Sequence, residues 1–80
     1  MFEKIARHAD LVERMARSTG TELGRALIEN RLTPERLRSA VYTCATCEKV
    51  ESCQHFLAEP ADGPREAPDY CLNKTLFARL

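Results

Sequence analysis

Four cysteines in a chain of 80 residues constrain this molecule more than any other feature. They follow the pattern Cys-x2-Cys-x5-Cys-x17-Cys, at Cys44, Cys47, Cys53 and Cys71, and no cysteine is left over. A chain of this length builds one domain with little margin. Ordering each residue costs roughly 1.5 kcal/mol, and apolar burial at about 25 cal/mol per Å² little more than offsets it. Domains of this size often carry a staple, and the cysteines are the only visible candidates. The expectation is one domain over residues 1–80.

The rest of the sequence reads as helix. Residues 2–18 place Phe2, Ile5, Ala9, Val12, Met15 and Ala16 at helical spacing, with Leu11 beside them and charges on the other face. Gly20 is the expected C-terminal stop. Thr21 reads as the N-cap of a second helix to about Arg31, with Glu22 in its first turn and Leu23, Ala26, Leu27 and Ile28 facing inward. The clearest start signal is Thr33-Pro34-Glu35, an N-cap followed by proline at the first helical position. Leu37, Ala40, Val41 and Cys44 then fall at i, i+3, i+4 and i+7, so an apolar face runs directly into the first cysteine. Cys47 lies three residues on, on the same side if the helix persists.

Ser52 is the expected cap of a short fourth helix carrying Cys53, Phe56 and Leu57. A loop follows from Glu59 to Pro68, with Pro60, Gly63, Pro64 and Pro68. Asp69 reads as the N-cap of a last helix with Leu72, Leu76 and Leu80 inward, Phe77 adjacent and Cys71 in its first turn. No repeat and no strong strand emerges. The predicted fold is all-α, a compact bundle of four to five short helices stapled by a four-cysteine metal site.

Composition narrows the function. Apolar residues make up 44% of the chain, which suits a folded domain. Twelve basic residues balance twelve acidic ones, which argues against nucleic acid as the partner. No apolar run of signal-peptide or membrane-span length is present, so the expected address is the cytoplasm, with no membrane partner. Thiols there are kept reduced, and a cysteine cluster is then a metal or catalytic site more often than a disulfide framework. No phosphate-binding glycine loop, serine elbow or zinc-protease motif is present, so no enzymatic activity is expected.

Three chemistries compete for the cysteines. Disulfides would use all four, but not in a reducing compartment. Structural zinc suits four thiolates, and Cys44-x2-Cys47 fits, yet the second half lacks a matching close pair. An iron–sulfur cluster takes four thiolates and, being larger than one ion, accepts ligands from more widely spaced backbone. Three cysteines close in sequence and one distant is a frequent layout for it. The cluster, with [4Fe–4S] ahead of [2Fe–2S], is favoured, with zinc the alternative. Cys44, Cys47, Cys53 and Cys71 are the candidate ligands of either. Val41, Ala45, Val50, Phe56 and Leu57 are the expected shield, and Lys49 and Lys74 the nearest cations. His55 is a substitute ligand only if a cysteine drops out. His8 reads as a surface or boundary residue, and Glu48 and Glu51 as exposed carboxylates.

Two resemblances bear on this. The run from Cys44 to Cys53 resembles the cysteine spacing of two [4Fe–4S] sensor groups, the fumarate-and-nitrate-reduction regulators and the WhiB-like proteins, over ten residues. The whole chain resembles a family of small alphaproteobacterial proteins known only as a domain of unknown function. The matching stretches are Arg-His-Ala-x-Leu-Val-x-Arg-Met-Ala at 7–16, Leu-Thr-Pro-Glu-Arg-Leu-Arg-x-Ala-Val at 32–41, the cysteine run at 44–53 and Pro-Asp-Tyr-Cys-Leu-Asn at 68–73. The second resemblance implies a bacterial cytosolic protein of one domain and supplies no activity. The expected function is therefore redox or oxygen sensing or single-electron transfer, with a protein partner. The alternative is a zinc-stabilised helical adaptor for protein–protein interaction.

Overall fold

The longest amphipathic stretch of the sequence becomes the longest helix, and the rest of the chain wraps around it. The computed structural model describes residues 2–80. Five helices form among the described residues, and no strand: α1 (Phe2–Ser18), α2 (Leu23–Ile28), α3 (Pro34–Ala45), α4 (Val50–Ala58) and α5 (Lys74–Arg79). The radius of gyration is 11.9 Å, close to the roughly 11.6 Å expected of a compact chain of this length.

The main helix–helix contact sets α1 against α3, with smaller contacts from α1 to α2 and α4. The core consists of Val12, Met15 and Ala16 from α1, Ala40 and Val41 from α3, Ala67 from the proline-rich loop and Phe77 from α5. Leu37, Cys44, Cys53, Phe56, Leu57, Cys71, Leu76 and Leu80 pack around it. Cys44, Cys53 and Cys71 therefore sit at the rim of this core.

Local signals explain the ends of the elements. Gly20 stops α1 with φ +91°, a left-handed conformation that costs glycine little. A Cβ there would meet Pro64 at 3.1 Å, so the loop also closes over this turn. Thr33 caps α3 as expected, its hydroxyl accepting the Arg36 N–H at 3.1 Å, with Pro34 following at the first helical position.

Several expectations need correction. The cap of α2 is Glu22, without a side-chain bond, and that helix ends at Ile28 rather than near Arg31. Thr21 is instead buried, its N–H donating to the Ala16 carbonyl at 2.9 Å. Helix α4 starts at Val50, so Ser52 lies inside it, and Lys49 occupies the cap position. The last helix starts at Lys74, leaving Leu72 in the preceding turn and 56% exposed. Phe2 and Ile28 are also solvent-exposed, and so is Ala9. Helix α1 spans 17 residues and α3 only 12, about 25 Å against about 18 Å, so α3 is too short to cover both ends of α1. His8 is buried at 4% exposure, its Nδ1–H donating to the Lys4 carbonyl at 2.8 Å.

Candidate metal centre

Each cysteine reaches the site from a different local setting. Cys44 is on the last turn of α3, at the end of its apolar stripe. Cys47 lies beyond that helix, which closes at Thr46, so the two are not successive positions on one helical face. The Thr46 hydroxyl donates to the Thr43 carbonyl at 2.7 Å, and the Cys47 N–H donates to the Cys44 carbonyl at 3.0 Å. These bonds tighten the last turn and bring Cys47 back towards Cys44. Cys53 is in the first half of α4, its N–H bonded to the Lys49 carbonyl at 2.9 Å. Cys71 is not in a helix. It sits in a turn before α5, with its N–H on the Pro68 carbonyl at 2.9 Å and its own carbonyl accepting the Lys74 N–H at 3.1 Å.

All four cysteines are free and half-buried, and all four line one cavity. Leu11, Val12 and Met15 of α1 contribute to its wall, together with Tyr70, Leu72, Asn73 and Phe77. The shield is thus shared between α1 and the segment around Cys71, and the expected neighbours of Cys44, Cys47 and Cys53 take no part in it. Val41, Phe56 and Leu57 join the main core instead, while Ala45 and Val50 do not line the cavity. Nearness in sequence misled here, because the wall is built by helix packing. Among the described residues, no group of three or more His, Cys, Asp or Glu side chains is arranged around a single metal-ion position.

Electrostatics confirm that the thiols share one neighbourhood. The Cys44 thiol is pushed up to about 11, first by burial and then by the neighbouring Cys53, Cys47 and Cys71. Burial also raises Cys53, with Cys71 and Cys47 adding to it and Arg14 opposing. Burial raises Cys71, against a hydrogen bond from the Asn73 N–H and the charge of Lys74. The Tyr70 phenol is raised in the same way, by burial and by Cys53, Cys47 and Cys71. Crowded, partly desolvated thiols hold their protons, and a cation among them would reverse that balance.

One sulfur already accepts a backbone N–H: the Lys49 N–H donates to Cys47 Sγ at 3.3 Å. Such a donor favours thiolate and orients it, as outer-shell groups do at metal sites.

The other sequence candidates separate cleanly. His55 lines a neighbouring surface groove with Glu51, Ser52, Phe56, Glu59 and Tyr70, away from the thiol cavity. Glu48, Lys49 and Glu51 are exposed. Lys74 pairs with Asp69 while still acting on Cys71. Sequence reasoning missed Asn73, Tyr70 and Arg14. Asn73 and Tyr70 had one available signal, their place within two residues of Cys71. Arg14 had only its place on the charged edge of α1, one residue from Met15.

The matching family model covers residues 1–80 and is described as a family of unknown function (DUF6455). The chain belongs to this family. No curated protein and no solved structure matches it. The family assignment carries no activity with it. No helix among the described residues is long and apolar enough to cross a membrane.

Proposed function

We propose that this chain is a small iron–sulfur protein, with [4Fe–4S] favoured, acting in single-electron transfer or in sensing redox state or oxygen. The observation that carries the reading is the lining of one cavity by Cys44, Cys47, Cys53 and Cys71. The donor set fits the group: four thiols are the usual ligands of such clusters, and here all four line one largely apolar cavity. Bound there, a cluster would supply reversible one-electron chemistry. The chain's own part is to hold it and set its surroundings. Leu11, Val12, Met15 and Phe77 keep water from the inner side, while the Lys49 N–H stabilises negative charge on Cys47 Sγ. A cysteine-ligated centre suits the cytoplasm, where thiols are kept reduced, and the exposed Leu72 beside the cavity leaves the site within reach of a protein partner.

One observation favours the second reading, structural zinc in a helical adaptor. The cavity measures only about 30 Å³, room for one or two waters, so an ion fits it more easily than a cluster. Purification without oxygen separates the two. The expected result is brown protein with iron and acid-labile sulfide in equal amounts, lost together with much of the helical circular dichroism when any one of the four cysteines becomes serine. Colourless protein with one zinc per chain would establish the adaptor reading. Full metal content and unchanged melting in Cys71→Ser would overturn the four-ligand site itself.

A further inference from the structure

Three of the four cysteines lie within ten residues of one another, on or between α3 and α4. Cys71 is different. It arrives after a proline-rich segment without helix, and something must hold that segment in place. Two side chains bridge it to the rest of the site, one on each side of Cys71.

Asn73 is the downstream bridge. It is buried at 8% exposure, and its Nδ2–H donates to the Ala40 carbonyl at 2.9 Å. Ala40 is one helical turn before Cys44 on α3. Asn73, two residues beyond Cys71, therefore ties the Cys71 turn to the helical turn that carries Cys44.

Arg65 is the upstream bridge. Its backbone N–H donates to the Ser18 carbonyl at 2.8 Å, at the end of α1. One terminal nitrogen of its guanidinium donates to the Phe56 carbonyl at 3.0 Å and to Ser18 Oγ at 3.3 Å. The guanidinium carbon stands 3.9 Å from the centre of the Phe56 ring. Phe56 is three residues after Cys53 on α4. The Nε atom of Arg65 is buried without a partner, a cost retained at a residue that joins α1, α4 and the loop at once.

We propose that Asn73 and Arg65 are the positioning residues of the centre, tying the Cys71 segment to the helical turns that carry Cys44 and Cys53. This rests on the reading of the four cysteines as one site. Local bonds to Pro68 and Lys74 shape the Cys71 turn, and its position relative to the other three cysteines depends on tertiary contacts. Loosening either tether frees Cys71 while leaving Cys44, Cys47 and Cys53 in place.

The test compares Asn73→Ala and the milder Arg65→Lys with the parent chain and with Thr33→Ala, which weakens α3 at its far end. Reduced, metal-free full-length protein is pulse-alkylated under native conditions, and each cysteine is quantified by mass spectrometry. Cys71 should label about tenfold faster in both tether variants, as expected for the loss of one good hydrogen bond that restrains local opening. Cys44 and Cys53 should change by less than about twofold, and Thr33→Ala should show no preference for Cys71. Equal acceleration at all four cysteines in the tether variants, or no acceleration at Cys71, would overturn the proposal. A second measurement follows metal release to a chelator from anaerobically purified protein, faster in the tether variants than in Thr33→Ala. Parent protein that binds no metal would defeat the cluster and zinc readings, while the alkylation pattern would still decide whether the tethers position Cys71.

Discussion

Val12 is the residue at which the stability of the fold and the shape of the site meet. It is 2% exposed, packs in the main core and also lines the thiol cavity. Val12→Ala removes two methyl groups. At about 0.8 kcal/mol per buried carbon the transfer loss is about 1.6 kcal/mol, and a cavity that only partly relaxes adds about 1 kcal/mol more. The expected loss is thus about 2–3 kcal/mol from a domain whose whole stability is on the order of 4–12 kcal/mol. For a chain of this size each kcal/mol moves the midpoint by roughly 4–8 °C, so the melting temperature should fall by roughly 10–20 °C. Leu72→Ala is the control. It removes a larger side chain, and one that the leucine spacing would put in the core, yet Leu72 is 56% exposed, and a change within about 0.5 kcal/mol is expected. Thermal and urea unfolding followed by circular dichroism on metal-free reduced protein measure both. Equal losses for the two variants, or a larger loss for Leu72→Ala, would refute the placement of α1 against the cysteines and of Leu72 outside the core.

Two further outcomes follow from the same geometry. Thr33→Ala should cost about 1 kcal/mol in thermal or urea unfolding, because it removes the acceptor of the Arg36 N–H; an unchanged midpoint would show that α3 does not depend on this cap. In metal-free reduced protein the thiols of Cys44, Cys53 and Cys71 stand above their ordinary value, so the folded state holds those protons more tightly than the unfolded state. That contribution is fully present below the unfolded value near 9, and is lost as pH rises towards about 11, the value reached at Cys44. Urea midpoints should therefore fall across this alkaline interval, and a Cys44→Ala, Cys53→Ala, Cys71→Ala triple variant should lose most of that dependence. A midpoint that climbs with pH in the parent would contradict the raised thiols.

The parts of this molecule that a linear reading recovers are those written in local chemistry. The stripe from Ile5 to Ala16 and the Thr33-Pro34 cap each act through neighbours three or four residues away, and α1 and α3 appear where those signals put them. His8 was within reach of the same logic. It lies three and four residues before Leu11 and Val12, on the buried stripe, and only its polarity hid it. Leu72 failed for the opposite reason. Its spacing with Leu76 and Leu80 is helical, but the turn that presents Cys71 and Asn73 delays α5 until Lys74, so the periodicity extends beyond the helix that would give it meaning.

The site divides along the same line. That four cysteines belong together could be read from their number and spacing, and the structure does place them around one cavity. What encloses that cavity could not be read so, because Leu11, Val12 and Met15 stand some thirty to sixty positions from the cysteines they shield. Their spacing is fully explained by core packing, and nothing in it marks them as neighbours of thiols. The same holds for the Ala40 carbonyl gripped by Asn73 across 33 residues. Helical spacing reports which side of an element is covered, and only the tertiary fold says by what. In this chain one face of α1 serves both the core and the thiols, so a substitution there that changes stability will also change the wall of the centre.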